Sequence, residues 1–166
     1  MSDFQILVAD TVDKNNSVWI DATLNLEDIQ SRVGMLEAEE FVITKFMGFK
    51  GLVHDTYGPL TYSTPLSEVR EAALYLERYG EAAIEVLEHF GSVETATEAY
   101  QNAYYGAYES LEDYAYEMYQ DSLEGVPEHV KRYIDYEAIA RDMDLGGEVM
   151  VVETGYKEAH IFGTNW

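Results

Sequence analysis

The chain reads as an α+β protein made of three small sections joined in a row. Apolar runs of strand length alternate with runs at helical spacing, and glycine and proline punctuate the joins. The expected sections are 1–64 (a small antiparallel sheet plus a helix), 65–103 (a helical middle) and 104–166 (a small sheet plus helices). At 166 residues and 47% hydrophobic, each section has apolar residues to bury.

The first section opens with Phe4-Gln5-Ile6-Leu7-Val8-Ala9, short enough for a buried strand. Asp13 to Ser17 reads as a turn and Val18-Trp19-Ile20 as the returning strand. Leu26, Ile29, Val33 and Leu36 then recur at helical spacing, and Phe41 to Phe46 supplies a third strand. Gly48, Gly51, Gly58, Pro59 and Pro65 mark the stretch after that strand as a loop or linker.

In the middle section Thr64 and Pro65 stand in the order of a cap followed by the first helical residue. Leu66, Val69, Ala73, Leu76 and Tyr79 continue that helix until Gly80. A second helix is expected over about Glu81 to Phe90, and Ser92 caps a third through about Ala103. The last section opens on a strand at Tyr104–Tyr108. Ser110 and Asp113 form a capping pair for a helix, Pro127 starts a short one, and Asp135 caps another. Arg141 in that last helix reads as a partner in an internal ion pair. Gly146-Gly147 end the helices, and two apolar runs around Thr154-Gly155-Tyr156 make a terminal hairpin.

Charge is the strongest compositional signal. Ten bases against 32 acids leave −22, a field that repels nucleic acid and anionic membranes and attracts basic surfaces. The acids are spread through all three sections in runs no longer than two, so they belong to folded surfaces and not to a charged tail. In the helical sections they fall between the apolar positions, where like charges three or four residues apart repel by a few tenths of a kcal/mol per pair. A fold that tolerates many such pairs gives up stability, which suggests that the surface is used. The bland alternative is a merely solvated acidic face.

Catalytic patterns are weak throughout the chain. His54, His89, His129 and His160 are scattered, and cysteine is absent, which argues against zinc and disulfides and suits a reducing cytoplasm. Gly146-Gly147 follows a helix and precedes a strand, the reverse of a phosphate-binding loop. Asp142, Asp144, Gly147 and Glu153 match part of a calcium-loop spacing, but Gly146 removes one ligand and the flank is a strand, so a helix cap followed by a hairpin explains them better. The expectation is a chain with no catalytic residue, cofactor or metal. The N-terminus lacks a basic segment followed by a long apolar one, and no run of about 18 apolar residues appears, so neither a signal peptide nor a membrane span is expected. Tyrosines crowd the stretch from Tyr100 to Tyr136. Single-strand binders stack bases on such rings in a positive groove, and here the sign is wrong. Tyrosine-rich surface also suits protein interfaces, although core packing accounts for most of these rings.

Several stretches together resemble the ArdA antirestriction family of plasmids and conjugative transposons. They are Trp19-Ile20-Asp21-Ala22, Leu87-Glu88-His89-Phe90-Gly91, the run from Tyr108 to Ala115, and the run from Tyr133 to Gly147. The resemblance implies an elongated, curved homodimer of three small domains per chain, joined through the C-terminal domains. It implies surface carboxylates that imitate the phosphates of bent B-form DNA and occupy the DNA-binding groove of type I restriction–modification enzymes, in the cytoplasm, with no enzymatic activity. The candidate phosphate mimics are Glu68, Glu71, Glu77, Glu81, Glu85, Glu88, Glu94 and Glu98 in the middle section. Glu109, Glu112, Asp113, Glu117, Asp121 and Glu124 continue them in the last. Leu111, Tyr114, Tyr133 and Tyr136 are candidate seam residues of the homodimer. A dimer would carry twice −22, matching the phosphates of about 75 Å of duplex at roughly 1.7 Å per charge. Two other readings stay open: an acidic adaptor or chaperone for a different basic protein, and a metal-dependent or carboxylate enzyme.

Overall fold

The computed structural model describes residues 2–166, which fall into two compact units, one reaching Ala96 and the other spanning Thr97–Trp166. Its described elements are helices and three small sheets, an α+β fold.

The first unit is organised by an antiparallel sheet in the order β2-β1-β3, formed by Gln5–Asp10 (β1), Ser17–Asp21 (β2) and Phe41–Met47 (β3). Alternation along β1 sends Ile6 and Val8 inward opposite Ile20 and Ile43, and all four are buried. The register slips by one residue between the Leu7 and Val8 pairs, and the hydroxyl of Thr44 donates to the Leu7 carbonyl at 3.2 Å beside that bulge. Helix α1 (Leu26–Gly34) covers the sheet with Ile29 and Val33. It begins at Asn25, whose side-chain oxygen accepts from the Asp28 backbone N–H at 2.8 Å.

Residues 48–64 form the loop their glycines and prolines suggest, but not a loose linker. They bury Phe49, Leu52 and Leu60 almost completely. Val53–His54 (β4) and Leu60–Thr61 (β5) pair in parallel, and Phe49 sets its ring edge-on to Phe4 and Phe46 at 5.4 and 5.5 Å. Gly48, at φ 86°, is where the chain passes close to the N-terminal segment. A Cβ there would collide with the Asp3 carbonyl oxygen, so only glycine fits.

Helices α2 (Leu66–Tyr79) and α3 (Ala82–Phe90) complete the unit, with α4 (Val93–Asn102) following. The expected capping of α2 by Thr64 is off by one. Pro65 is the cap residue, and the Thr64 hydroxyl instead accepts from the Thr61 N–H at 2.7 Å. Proline's fixed φ still suits the helix entrance without a side-chain cap. Val69, Ala72, Ala73, Tyr75 and Leu76 form the buried stripe of α2. The Tyr75 hydroxyl donates to the Ala83 carbonyl at 3.2 Å, and Arg70 Nε donates to the Leu24 carbonyl at 2.6 Å, fastening α2 to α3 and to the entrance of α1.

In the second unit the sheet runs β6-β8-β7, from Tyr104–Tyr108 (β6), Val149–Gly155 (β7) and Glu158–Gly163 (β8). The central strand β8 is buried from Ala159 to Gly163, and that buried stretch carries one polar side chain, His160, among apolar residues and glycine. One face packs Ala159 and Ile161 against α5 (Leu111–Gln120) and α7 (Tyr136–Leu145) through Tyr114, Ala115, Ala140 and Met143. On the other face Phe162 meets the rings of Tyr100 and Tyr104 at 5.1 and 5.0 Å. A 3-10 turn (Asp121–Leu123) and the short α6 (Glu128–Lys131) link α5 to α7.

Sequence-read caps reappear here with their partners. Ser110 Oγ accepts from the Asp113 N–H at 3.1 Å, and Asp135 Oδ1 accepts from the Ala138 N–H at 2.9 Å. Helix α7 ends with Gly147 at φ 67° and crossed bonds from the Gly147 and Glu148 N–H groups to the Asp144 and Met143 carbonyls, both 3.0 Å. Arg141 departs from its expected internal ion pair. Its side chain is exposed and lies 3.7 Å from the equally exposed Asp142, because its position on α7 points away from the Ala140–Met143 stripe.

Asp21 at the end of β2 fixes the N-terminal segment. Partial burial opposes its charge, yet the Ser2 hydroxyl and N–H and the Thr23 hydroxyl and N–H all donate to it and together hold its pKa well below the usual carboxylate range. An unfolded Asp titrates near 3.9, so this contribution to stability is complete above about pH 4 and is lost as pH falls below it. Asp21→Asn is therefore expected to lower Tm at pH 7, with the gap to the native chain narrowing when thermal melts are repeated at successively lower pH below about 4.

Candidate functional site

The acids are almost entirely a surface property. Of the 32 acidic side chains, 30 are exposed, Asp10 and Asp21 are half-buried, and none is buried. The two compact units share the charge equally: seventeen acids and six bases up to residue 96, fifteen acids and four bases beyond it, each leaving −11.

All fourteen candidate phosphate mimics are exposed. Glu68, Glu71 and Glu77 ride on α2, Glu85 and Glu88 on α3, and Glu94 and Glu98 on α4. Glu81 occupies the cap position of α3 in helical conformation. Glu112, Asp113 and Glu117 ride on α5, Asp121 lies in the 3-10 turn, and Glu109 and Glu124 flank these helical turns. The cause is local. Each helix turns its apolar stripe inward, and the intervening acids are carried outward on a backbone already fixed by packing. Several also sit in first helical turns, as Glu68, Glu85, Glu94, Glu112 and Asp113 do, where the helix dipole favours negative charge.

The bases leave this surface largely unneutralised. Among the described residues, twelve of the fourteen candidates have no ion-pair partner within 4 Å. The exceptions are Glu88, 3.9 Å from His54 Nε2, and Glu109, 3.1 Å from Lys157 Nζ. Both bases of the middle stretch are engaged elsewhere, Arg70 on the Leu24 carbonyl and Arg78 over the Tyr79 ring at 5.3 Å. Sixteen further exposed acids lie outside the candidate set, among them Glu27, Glu40 and Glu137, so sequence reasoning that favours helical spacing in the later sections underweights the first.

The candidate seam residues are not alike in their placement. Tyr114 is buried in its own unit, stacked on Tyr105 at 5.8 Å and edge-on to Tyr108 at 5.2 Å, and burial raises its hydroxyl pKa. Leu111 packs at the margin of the same core. Tyr136 is half-buried and edge-on to Tyr116 at 5.1 Å, whereas Tyr133 is 82% exposed.

One polar network lies inside the second unit. His160 is nearly buried, with Nδ1 2.7 Å from the Tyr104 hydroxyl and Nε2 3.1 Å from Glu158. Burial, then the nearby Glu158 charge, raises the Tyr104 pKa, while the hydrogen bond from His160 lowers that of Glu158. The network joins β6 to β8. The residues of the calcium-like spacing are dispersed, Asp142 and Asp144 on the last turns of α7 and Glu153 on β7. Among the described residues, no three His, Asp or Glu side chains converge as a metal site, and no helix is long and apolar enough to cross a membrane.

Comparison with known families decides whose surface this is. Residues 14–158 match the family described as antirestriction protein (ArdA). The chain belongs to the ArdA family. As an ArdA protein it is an antirestriction protein, acting against restriction enzymes. No curated protein matches this ArdA chain.

Proposed function

We propose that this ArdA chain is a decoy for duplex DNA, whose carboxylates stand in for phosphates in the DNA-binding groove of a type I restriction–modification enzyme. The observation that carries this reading is the exposed array of candidate carboxylates, twelve of fourteen without an ion-pair partner among the described residues, most of them on helices whose backbones are fixed by buried stripes. A groove built to bind DNA is lined with bases held for phosphates, and rigid carboxylates meet it without the ordering entropy that a disordered acidic tail loses on binding. The reading extends to a homodimer joined through the C-terminal section, with Tyr133 as its most exposed candidate anchor, and to three functional sections along each chain.

Competition tests it. Duplex DNA should displace the chain from a purified type I enzyme, and affinity should fall steeply and linearly on a log–log plot against salt. A complex that holds the chain and duplex DNA together would overturn the decoy and favour an acidic adaptor.

A further inference from the structure

A groove of about 540 Å³ in the first unit is lined by eleven residues, none of them charged. In a chain with 25% charged residues, a surface of that size without one is a neutral island. Leu26 and Gln30 of α1, Phe41 and Ile43 of β3, and Tyr62 and Pro65 ahead of α2 form its walls. Phe41 and Tyr62 leave 46% and 39% of their surface open to solvent. The walls are preformed. The Arg70–Leu24 bond fastens α2 to the entrance of α1, and the Tyr62 ring leans edge-on against Phe46 at 5.8 Å. Around the neutral floor stand exposed Glu27, Glu40 and Glu68, each a direct chain neighbour of a lining residue and, among the described residues, without an ion-pair partner.

We propose that this groove is a socket for an aromatic or aliphatic side chain carried on a basic segment of the restriction enzyme. The inference rests on the decoy reading and adds a second kind of contact to it. The acidic rim complements bases that flank the anchor, and the uncharged floor takes the anchor itself. Charge steers the encounter and sets its salt dependence, while a buried apolar anchor slows dissociation. DNA-binding proteins commonly insert apolar wedges between base steps, and a decoy with a socket gives such a wedge a place that a purely polar surface lacks.

The double variant Phe41→Ser with Tyr62→Ser removes the two open rings and no charge. Its affinity for a type I enzyme should fall about tenfold at every salt concentration with the slope unchanged, the loss of one buried apolar contact. Unchanged affinity would overturn the socket. Because the double variant removes partly buried rings, the native full chain is also titrated with the peptide Lys-Lys-Trp-Lys-Lys and with Lys-Lys-Ala-Lys-Lys while backbone amide resonances are followed. The tryptophan peptide should move the Val42, Thr64 and Leu66 amides and bind at least tenfold more tightly. Equal affinity and an identical pattern for both peptides would leave only charge attraction and overturn the socket. Neither result bears on displacement by duplex DNA, which alone decides the decoy.

Discussion

Replacing Glu68, Glu71, Glu77, Glu81, Glu85, Glu88, Glu94 and Glu98 together by Gln should weaken inhibition of a type I enzyme by about 15- to 700-fold, whereas any one replacement should cost about twofold at most. The estimate assumes roughly 0.2–0.5 kcal/mol for each exposed charge contact, near-additive over separated sites, with 1.4 kcal/mol per tenfold. The block should also flatten the salt dependence, because fewer charges take part in the exchange of counterions. Folding should survive. Neutralising Glu68 with Glu71, Glu85 with Glu88 and Glu94 with Glu98 relieves like-charge repulsion within one helix, against a comparable loss of dipole stabilisation in the first turns. Melting curves should therefore stay within a few degrees of the native chain's. One substitution that abolished inhibition in a folded protein would sink the idea of distributed mimicry.

How much of the fold and surface is legible in the sequence depends on whether the signal is local. The capping pair at Ser110 and Asp113, the cap at Asp135 and the ends of α2 and α3 at Gly80 and Gly91 are decided by three or four neighbouring residues, and each stands where the sequence puts it. The exposure of the acids is legible for a related reason, since helical periodicity separates the buried stripe from everything else. Residues 48–64 mislead because their punctuation is local while their burial is not. Phe49, Leu52 and Leu60 are buried all the same, and Phe49 sets its ring against Phe4, a contact far back along the chain that periodicity cannot see. The same gap explains Tyr114. Clustered tyrosines signal aromatic packing without saying whether the packing is within one unit or between two, and here Tyr105 and Tyr108 of the same unit take that ring. The neutral groove is beyond sequence reading altogether, because α1, β3 and the approach to α2 meet there only in three dimensions.

Phe162→Ala separates mimicry by shape from mimicry by charge alone. Phe162 is fully buried in the central strand β8 and packs against the rings of Tyr100 and Tyr104. Removing such a ring from a packed core costs about 3–5 kcal/mol, a large part of the roughly 5–15 kcal/mol that holds a whole domain together. Phe162→Leu keeps most of the volume and should cost less than about 1.5 kcal/mol. Chemical denaturation should show the alanine variant's midpoint far below that of the leucine variant, and hydrogen exchange should place the loss of protection in β6, β7 and β8. The net charge stays at −22 throughout, and the second unit carries seven of the fourteen candidate carboxylates, Glu98 through Glu124. If charge alone recruited the enzyme, the alanine variant would inhibit as well as the native chain. If the acids must be held in place, they now bind as a loosened chain and lose ordering entropy on contact, so inhibition should fall at the temperatures where the sheet opens and return on cooling. Inhibition that stays constant across that transition would show that the scaffold contributes nothing to recognition.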